Sequence, residues 1–553
     1  MKKLINDADA VVRESLEGRV LLQPNVSLLG SSQTVVRTDR VVNDDNRATV
    51  PVALISGGGA GHEPAHAGYV AHGMLTAAVS GGVFASPSVD AVLDAIRAVT
   101  GDAGCLLIVK SYTGDRLNFG MAAELARHDG LDVEMVVVGD DVALSDDDTH
   151  AGRRGLAGTV LVHKVAGAAA ESGSTLREVH DVATRVTGHL GTMGVALAPC
   201  TTPGADAPSF ELGDDEIELG LGIHGEPGVE RTRLTSADDI AQTLVGRILD
   251  DREIVDGDRV VALVGTAGAT PPSELDIVAR GAHTALTNRG VVVERLWAGP
   301  VLTSLDMSGA HVSLLPVDDG LLDLLDTPTA SPAWPGFPDA RRPALSVVTT
   351  PESADRAGGP AGEADPFVRQ VIDAACERLL RARTELDAAD QHVGDGDLGS
   401  ALARGARAWL DDPGEGDAAS LLQELSARCR RAIGGTSGPL YGMLLLRAAQ
   451  ALADGASWGD ALRAGVTGVR ELGGAQPGDG TMVDALQPAA DAADSGIDAV
   501  VTAAREGAAR TSDAVATKGR ASYLGERAKG YEDPGATAVV MWLEAVREAM
   551  SQQ

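Results

Sequence analysis

Val52-Ala53-Leu54-Ile55-Ser56-Gly57-Gly58-Gly59-Ala60-Gly61-His62-Glu63-Pro64 decides the fold of the first half of the chain. Four apolar residues, Val52–Ile55, run directly into a glycine-rich turn, the pattern of a fully buried strand that ends at a ligand-facing loop. The runs Cys105–Val109, Val133–Val138 and Val260–Val264 repeat it, each closing on Gly, Ser or a polar cluster. Helical patterns such as Val89–Val99 and Gly120–His128 lie between them. This alternation predicts an α/β domain with a mostly parallel sheet. A boundary near Gly188–Gly194 divides it into two subdomains, about 1–187 and 188–326.

Outward from there the character changes twice. Residues 327–365 are rich in Pro, Ala, Gly and Thr without periodicity, and read as a linker. From 366 to 553, apolar residues recur at three- and four-residue spacing, as in Val368, Val371, Ile372, Ala375, Leu379 and Leu380. That is the signature of amphipathic helices, and no convincing strand interrupts it, so an all-α domain is expected. A length of 553 residues accommodates three to four units of about 150 residues each.

Composition excludes whole classes of function. The net charge of −33 repels nucleic acid, and five Trp, five Tyr and five Phe give few platforms for base stacking. No apolar run approaches the roughly 18 residues of a membrane span. Cys105, Cys200, Cys376 and Cys429 make no C-x-x-C pair, which fits a reducing compartment and a cytoplasmic location.

Three polar clusters sit at the ends of predicted strands or among glycines: the Gly57–His62 loop, Lys110-Ser111-Tyr112-Thr113-Gly114-Asp115, and Leu221-Gly222-Ile223-His224-Gly225-Glu226-Pro227-Gly228. Strand carboxyl ends are where open α/β sheets bind ligands, and a lysine and carboxylate there suit a hydroxylated substrate or a proton transfer. His62-Glu63-Pro64-Ala65-His66 formally matches H-E-x-x-H, but Pro64 and the glycine run deny it the regular helix a zincin needs. In the helical half, Asp390, Asp395 and Asp397 fall within eight residues and repel one another unless a hard cation such as Mg²⁺ holds them. Gly434-Gly435-Thr436-Ser437-Gly438 and Gly473–Thr481 are glycine loops suited to phosphate, although no P-loop motif exists. A Mg-nucleotide domain joined to a small-molecule domain suggests phosphoryl transfer.

These motifs, in this order, make the chain resemble the ATP-dependent single-chain dihydroxyacetone kinases over nearly its whole length. The resemblance is carried by Gly57–Val70, Gly81–Pro87, Tyr112–Asp115, Gly222–Gly228, Gly394–Gly399, Gly434–Gly442, Pro477–Met482, Lys518–Arg527 and Asp533–Ala536. It implies a closed helix barrel for the second half, ATP and Mg²⁺ as cofactors, and a homodimer that binds neither nucleic acid nor membrane. It also implies that His224 holds the ketose carbonyl as a covalent hemiaminal. His62 and Asp115 then handle the proton of the attacking hydroxyl, while Gly59 and Lys110 contact the sugar. Asp390, Asp395 and Asp397 bind Mg²⁺. Thr436, Ser437, Gly478, Met482, Arg520, Asp533 and Gly535 form the nucleotide site. Ala60, Ser111 and Val264-Gly265-Thr266 depart from the family pattern, which leaves a tetrulose kinase such as an erythrulose kinase, or a non-catalytic ketose-binding regulator, as the alternatives. Because phosphoryl transfer needs reacting atoms about 3–3.5 Å apart, closure of one domain on the other is expected.

Overall fold

The apolar run Val52–Ile55 does not stop at Ser56. In the computed structural model, which describes residues 2–30, 32–144, 152–336, 341–348, 363–523 and 525–551, this strand continues through the glycines over Ala53–Ala60. A β-carbon on Gly57 would stand 2.2 Å from the Val79 carbonyl oxygen, so the missing side chain lets two backbones lie close enough to pair.

The first sheet contains β1 (Val26–Leu28), β2 (Thr34–Arg37), β3 (Ala53–Ala60), β4 (Ala77–Val83), β5 (Cys105–Lys110) and β6 (Val133–Val138), in the spatial order β1-β2-β4-β3-β5-β6. Its centre, β4-β3-β5-β6, is parallel, and its β1-β2-β4 edge is antiparallel. The second sheet comprises β7 (Gly191–Ala198), β8 (Glu216–Leu219), β9 (Glu230–Arg233), β10 (Arg259–Thr266), β11 (Val292–Gly299) and β12 (Ser308–Pro316), ordered β11-β10-β12-β7-β8-β9. Only its β10–β11 pair is parallel; the other four pairings are antiparallel. The expected mostly parallel sheet is thus corrected to the centre of the first sheet. The buried runs of β7 and β12 look alike whichever way their neighbours point, so sequence carried no orientation signal there.

Both faces of each sheet are covered, which is why the strands read as continuous rather than alternating apolar runs. Ala53, Ile55, Leu107 and Val109 face the helices Val89–Val99 and Thr113–His128. Leu54, Leu106 and Ile108 face the other way, in one core with Val160, Leu161 and Val165 of the helix Thr159–Glu171 and with Leu263 and Leu315 of the second sheet. Helices Ala237–Asp251 and Pro272–Asn288 cover the far side of that second sheet. Each fully buried Leu or Val contributes about 1.5–3 kcal/mol, so this interior fixes where every strand end lies.

Contacts divide the chain into two compact units between Val347 and Val348. Within the stretch read as a linker, residues up to 336 are bonded to the first unit: the Thr329 hydroxyl donates to the His72 carbonyl at 2.7 Å and Ser331 to that of Gly68 at 2.9 Å. Trp334 packs on Trp297 with ring centroids 5.0 Å apart. Residues 337–340 and 349–362 of that stretch lie outside the described residues.

The second unit is helical throughout its described residues, from Pro366–Arg381 to Pro534–Ser551. Asp365, Asp417 and Ser457 cap helix starts by accepting backbone N–H bonds, and Gly474 ends Trp458–Gly473 with φ +64. Successive helices are neighbours, and Pro534–Ser551 closes back on Pro366–Arg381, so the unit is a closed helix barrel. It surrounds an apolar cavity of about 560 Å³ lined by Ile372, Leu402, Leu445, Leu462 and Trp542 among others. No helix among the described residues is long and apolar enough to cross a membrane.

Candidate functional site

In the first unit, the extension of β3 carries Gly58 over the end of β5. A β-carbon there would meet Lys110 Nζ at 3.0 Å and Asp115 Oδ2 at 3.4 Å, so only glycine leaves room above this pair. Lys110 is the last residue of β5, and Asp115 lies in the first turn of the helix that follows. Gly59 backs onto the chain at Phe84 and Ala85, each 2.7 Å from where its β-carbon would be. That contact brings the Phe84 ring over the loop, stacked on His62 with centroids 5.1 Å apart.

His62 is fully buried, and its Nδ1 lies 2.8 Å from the Thr303 carbonyl, which can only accept. Nδ1 therefore carries the proton and Nε2 offers a lone pair. Burial, with the charges of Lys110 and His224 beside it, holds the imidazole well below its usual pKa and keeps it neutral. The His224 ring stands edge-on to three others: His62 at 4.9 Å, Tyr112 at 4.7 Å and Phe84 at 5.2 Å between centroids. His224 Nδ1 lies 2.8 Å from Glu226 Oε1, so it donates to that carboxylate and leaves Nε2 as a nucleophilic lone pair. His66 Nδ1 lies 3.4 Å from the Ser56 hydroxyl, and among the described residues the His62/His66 pair of the H-E-x-x-H match belongs to no cluster of three metal-ligating groups.

Four buried polar atoms in this pocket have no protein partner: His62 Nε2, Lys110 Nζ, the Tyr112 hydroxyl and Asp115 Oδ1. Burying such groups unpaired costs about 1–3 kcal/mol each, and a bound molecule carrying donors and acceptors would supply the missing partners. Burial also lowers the Lys110 pKa, opposed by the charges of Asp115 and Glu226. The sequence singled out His62, Lys110, Asp115 and His224, and the fold brings all four together. It missed Phe84, Thr303 and the role of Glu226. The Glu226 signal was present, two residues past His224; Thr303 is 241 positions from its partner and no local pattern points to it.

In the helical unit, Asp390, Asp395 and Asp397 present carboxylate oxygens within 4.8 Å of one another. Asp390 Oδ2 also accepts the N–H groups of Gly396 and Asp397 at 2.9 and 3.0 Å, which folds the loop back onto its own helix. A cluster of three oxygen donors fits a hard divalent cation such as Mg²⁺. Beside them, Asp533 caps the helix Pro534–Ser551 by accepting from Ala536 N–H at 2.7 Å. Burial, then the charges of Asp484 and Asp390, pushes its carboxyl up to about 7.

A β-carbon on Gly535 would lie 3.0 Å from Asp533 Oδ1 and 3.5 Å from Met482 Cβ, which places the Gly478–Met482 loop against the start of that helix. Asp484 ties down the same loop by accepting from the N–H groups of Gly478 and Thr481. Thr436 is the N-cap and Ser437 the first residue of Ser437–Ala453, preceded by Gly434 at φ +71 and Gly435 at φ +54. Among the described residues no hydrogen bond joins Thr436 or Ser437 to the aspartates. One turn onward, burial raises the pKa of the Tyr441 hydroxyl, with the Asp533 charge a lesser cause in the same direction. The side chain of Arg520 lies outside the described residues.

The Dak1 domain pattern matches residues 17–333, and that of the DAK2 domain matches residues 392–548. The chain belongs to the single-chain dihydroxyacetone kinase family. Among its relatives in that family, a triokinase/FMN cyclase of Bos taurus is 40% identical, with 100% of this chain and 99% of that protein covered. The L-erythrulose 1-kinase of Mycolicibacterium smegmatis is 35% identical with 100% of each chain covered. Among solved structures, the dihydroxyacetone kinase of C. freundii in complex with AMP-PNP and Mg²⁺ superposes with a TM-score of 0.65 at 36% identity, covering 99% of both chains.

Proposed function

We propose that this chain transfers the γ-phosphate of ATP to a hydroxyl of dihydroxyacetone, and that its first unit holds the ketose while its helical unit holds Mg-ATP. The observation that carries the reading is the convergence of four unpartnered buried polar atoms around an imidazole whose Nε2 is free. A polyol supplies the missing partners, and a carbonyl supplies an electrophile for the imidazole. Family membership with kinases, one of them solved with AMP-PNP and Mg²⁺, supports the phosphoryl donor.

The geometry within each unit supports the following roles. Nε2 of His224 adds to the C2 carbonyl: a C–N bond forms, the carbonyl π pair moves to oxygen, and that oxygen takes a proton while Nδ1 releases one toward Glu226. Capture of this kind selects a ketose over a polyol that lacks a carbonyl. The single proton of the hydroxyl to be phosphorylated passes to neutral His62 through Nε2 or to Asp115 through Oδ1. Lys110 orients the ketose oxygens from beneath Gly58, and Gly59 keeps Phe84 in place over the pocket. Asp390, Asp395 and Asp397 are the residues that would hold Mg²⁺, which neutralises phosphate charge when bound. Thr436, Ser437, Gly478, Met482, Arg520, Asp533 and Gly535 are assigned to the nucleotide.

The 35%-identical erythrulose kinase keeps a second acceptor open, a four-carbon ketose handled by the same residues. A homodimer and a cytoplasmic location complete the proposal. Phosphorus NMR of a mixture with Mg-ATP and dihydroxyacetone tests it. A ketose monophosphate ester supports the reading; ATP consumption that yields only inorganic phosphate would refute it.

A further inference from the structure

We propose that Arg154, anchored by Asp141, is a positioning residue that clamps the loop carrying His224; the proposal rests on the hemiaminal reading above. Asp141 follows the last strand of the first sheet and bridges to Thr192 on β7 of the second. Its carboxylate is fully buried, accepts from Ala143 N–H at 2.9 Å, and receives the Nε–H of Arg154 at 2.6 Å. The Asp141 peptide N–H donates to the Arg154 carbonyl at 3.1 Å, so the two residues are bound through both backbone and side chain.

The other side of the guanidinium reaches the loop. Nη2 donates to the carbonyl of Gly220 at 2.7 Å, at the start of the turn that leads to His224. A β-carbon on Gly222 would fall 2.7 Å from Arg154 Nη1 and 2.2 Å from Glu226 Oε2. The Gly222 α-carbon is therefore wedged between the guanidinium and the carboxylate that orients His224. The planar fork engages its two partners from separate nitrogens held in fixed geometry, whereas a lysine offers a single nitrogen.

A nearly buried ion pair is a poor source of stability, because desolvating both charges offsets their attraction. This one joins the first sheet to the loop of the nucleophile, and the effect expected of it is alignment. Misplacing a reacting group by about 1 Å costs roughly 100-fold in rate, and that is the scale expected for its loss.

The test uses the full-length chain with [2-¹³C]dihydroxyacetone, following the conversion of C2 from ketone to adduct by NMR, alongside steady-state kinetics. Arg154→Lys is expected to lower adduct occupancy and reduce kcat/KM for the ketose by about 100-fold, with KM for ATP unchanged. Gly222→Ala, which crowds the same wedge and keeps both charges, is expected to act in the same direction. Aqueous guanidinium is expected to restore part of the activity of Arg154→Ala. A merely structural role would lower thermal stability and scale the rates with every substrate together. Unchanged adduct occupancy and ketose KM in both Arg154→Lys and Gly222→Ala would overturn the clamp while leaving the hemiaminal intact. Absence of any adduct in the unmodified protein would overturn the hemiaminal and the clamp with it.

Discussion

His224 donates twice to one carboxylate: its Nδ1–H reaches Glu226 Oε1 at 2.8 Å, and its own peptide N–H reaches Oε2 at the same distance. A single side chain thereby sets both the tautomer of the imidazole and the turn that presents it. Burial raises the Glu226 carboxyl, but the hydrogen bond and charge of His224 outweigh it and hold the carboxyl at about 2.

Glu226→Gln is therefore predicted to keep the turn and lose the proton acceptor, with kcat/KM for the ketose falling roughly 100-fold, the scale for disturbing a positioned reacting group. Because the folded state holds this carboxyl below its ordinary value of 4.5, its contribution to stability is complete above that pH and is lost as pH falls toward 2. Urea unfolding of the two proteins across that window checks this. The stability gap between them should close on acidification.

Gly58→Ala places a methyl group 3.0 Å from Lys110 Nζ and 3.4 Å from Asp115 Oδ2, at a backbone φ of +152 that side chains resist. It should abolish ketose binding while the helical unit still binds Mg-ATP. Calorimetric titration with each ligand separates the two effects.

Asp390 and Asp397 should behave differently although both belong to the acidic cluster. Asp390 also accepts two backbone N–H groups of its own loop, so Asp390→Ala should cost about 1 kcal/mol or more of stability. It should also raise the Mg²⁺ requirement. Asp397→Asn keeps those two bonds and should raise the Mg²⁺ requirement, by roughly 10-fold or more, with little change in melting temperature. Thermal melts and Mg²⁺ titration of turnover together test the distinction.

Asp533 has its carboxyl raised from 3.8 to about 7, chiefly by burial. The folded, Mg²⁺-free protein therefore favours the protonated form, and ionisation removes stability as pH climbs from 3.8 through 7. Asp533→Asn, which still caps its helix, should melt higher than the parent above pH 7 and match it near 3.8. Equal melting temperatures across the whole range would contradict this.

The sequence was legible where chemistry is local. The Gly57–His62 run, the Lys110–Asp115 cluster and the aspartate triplet each carry their meaning within a few residues, and the fold places each at the end of an element. Glu226 stood in plain view beside His224, yet its role needed the turn that folds it back. Arg154 acts on Gly220 66 positions away, and Thr303 acts on His62 241 positions away. Such pairings arise from how the two sheets meet. The antiparallel second sheet escaped for a related reason: strands buried on both faces lack the alternation that would reveal their direction.

The most direct test of the central claim is ADP release with Mg-ATP and dihydroxyacetone, measured beside both erythrulose enantiomers, glycerol and the His224→Ala protein. Rapid ADP release with a ketose, little with glycerol, and its collapse in His224→Ala is the predicted result. ADP release that ignores the acceptor, or that survives intact in His224→Ala, would contradict it.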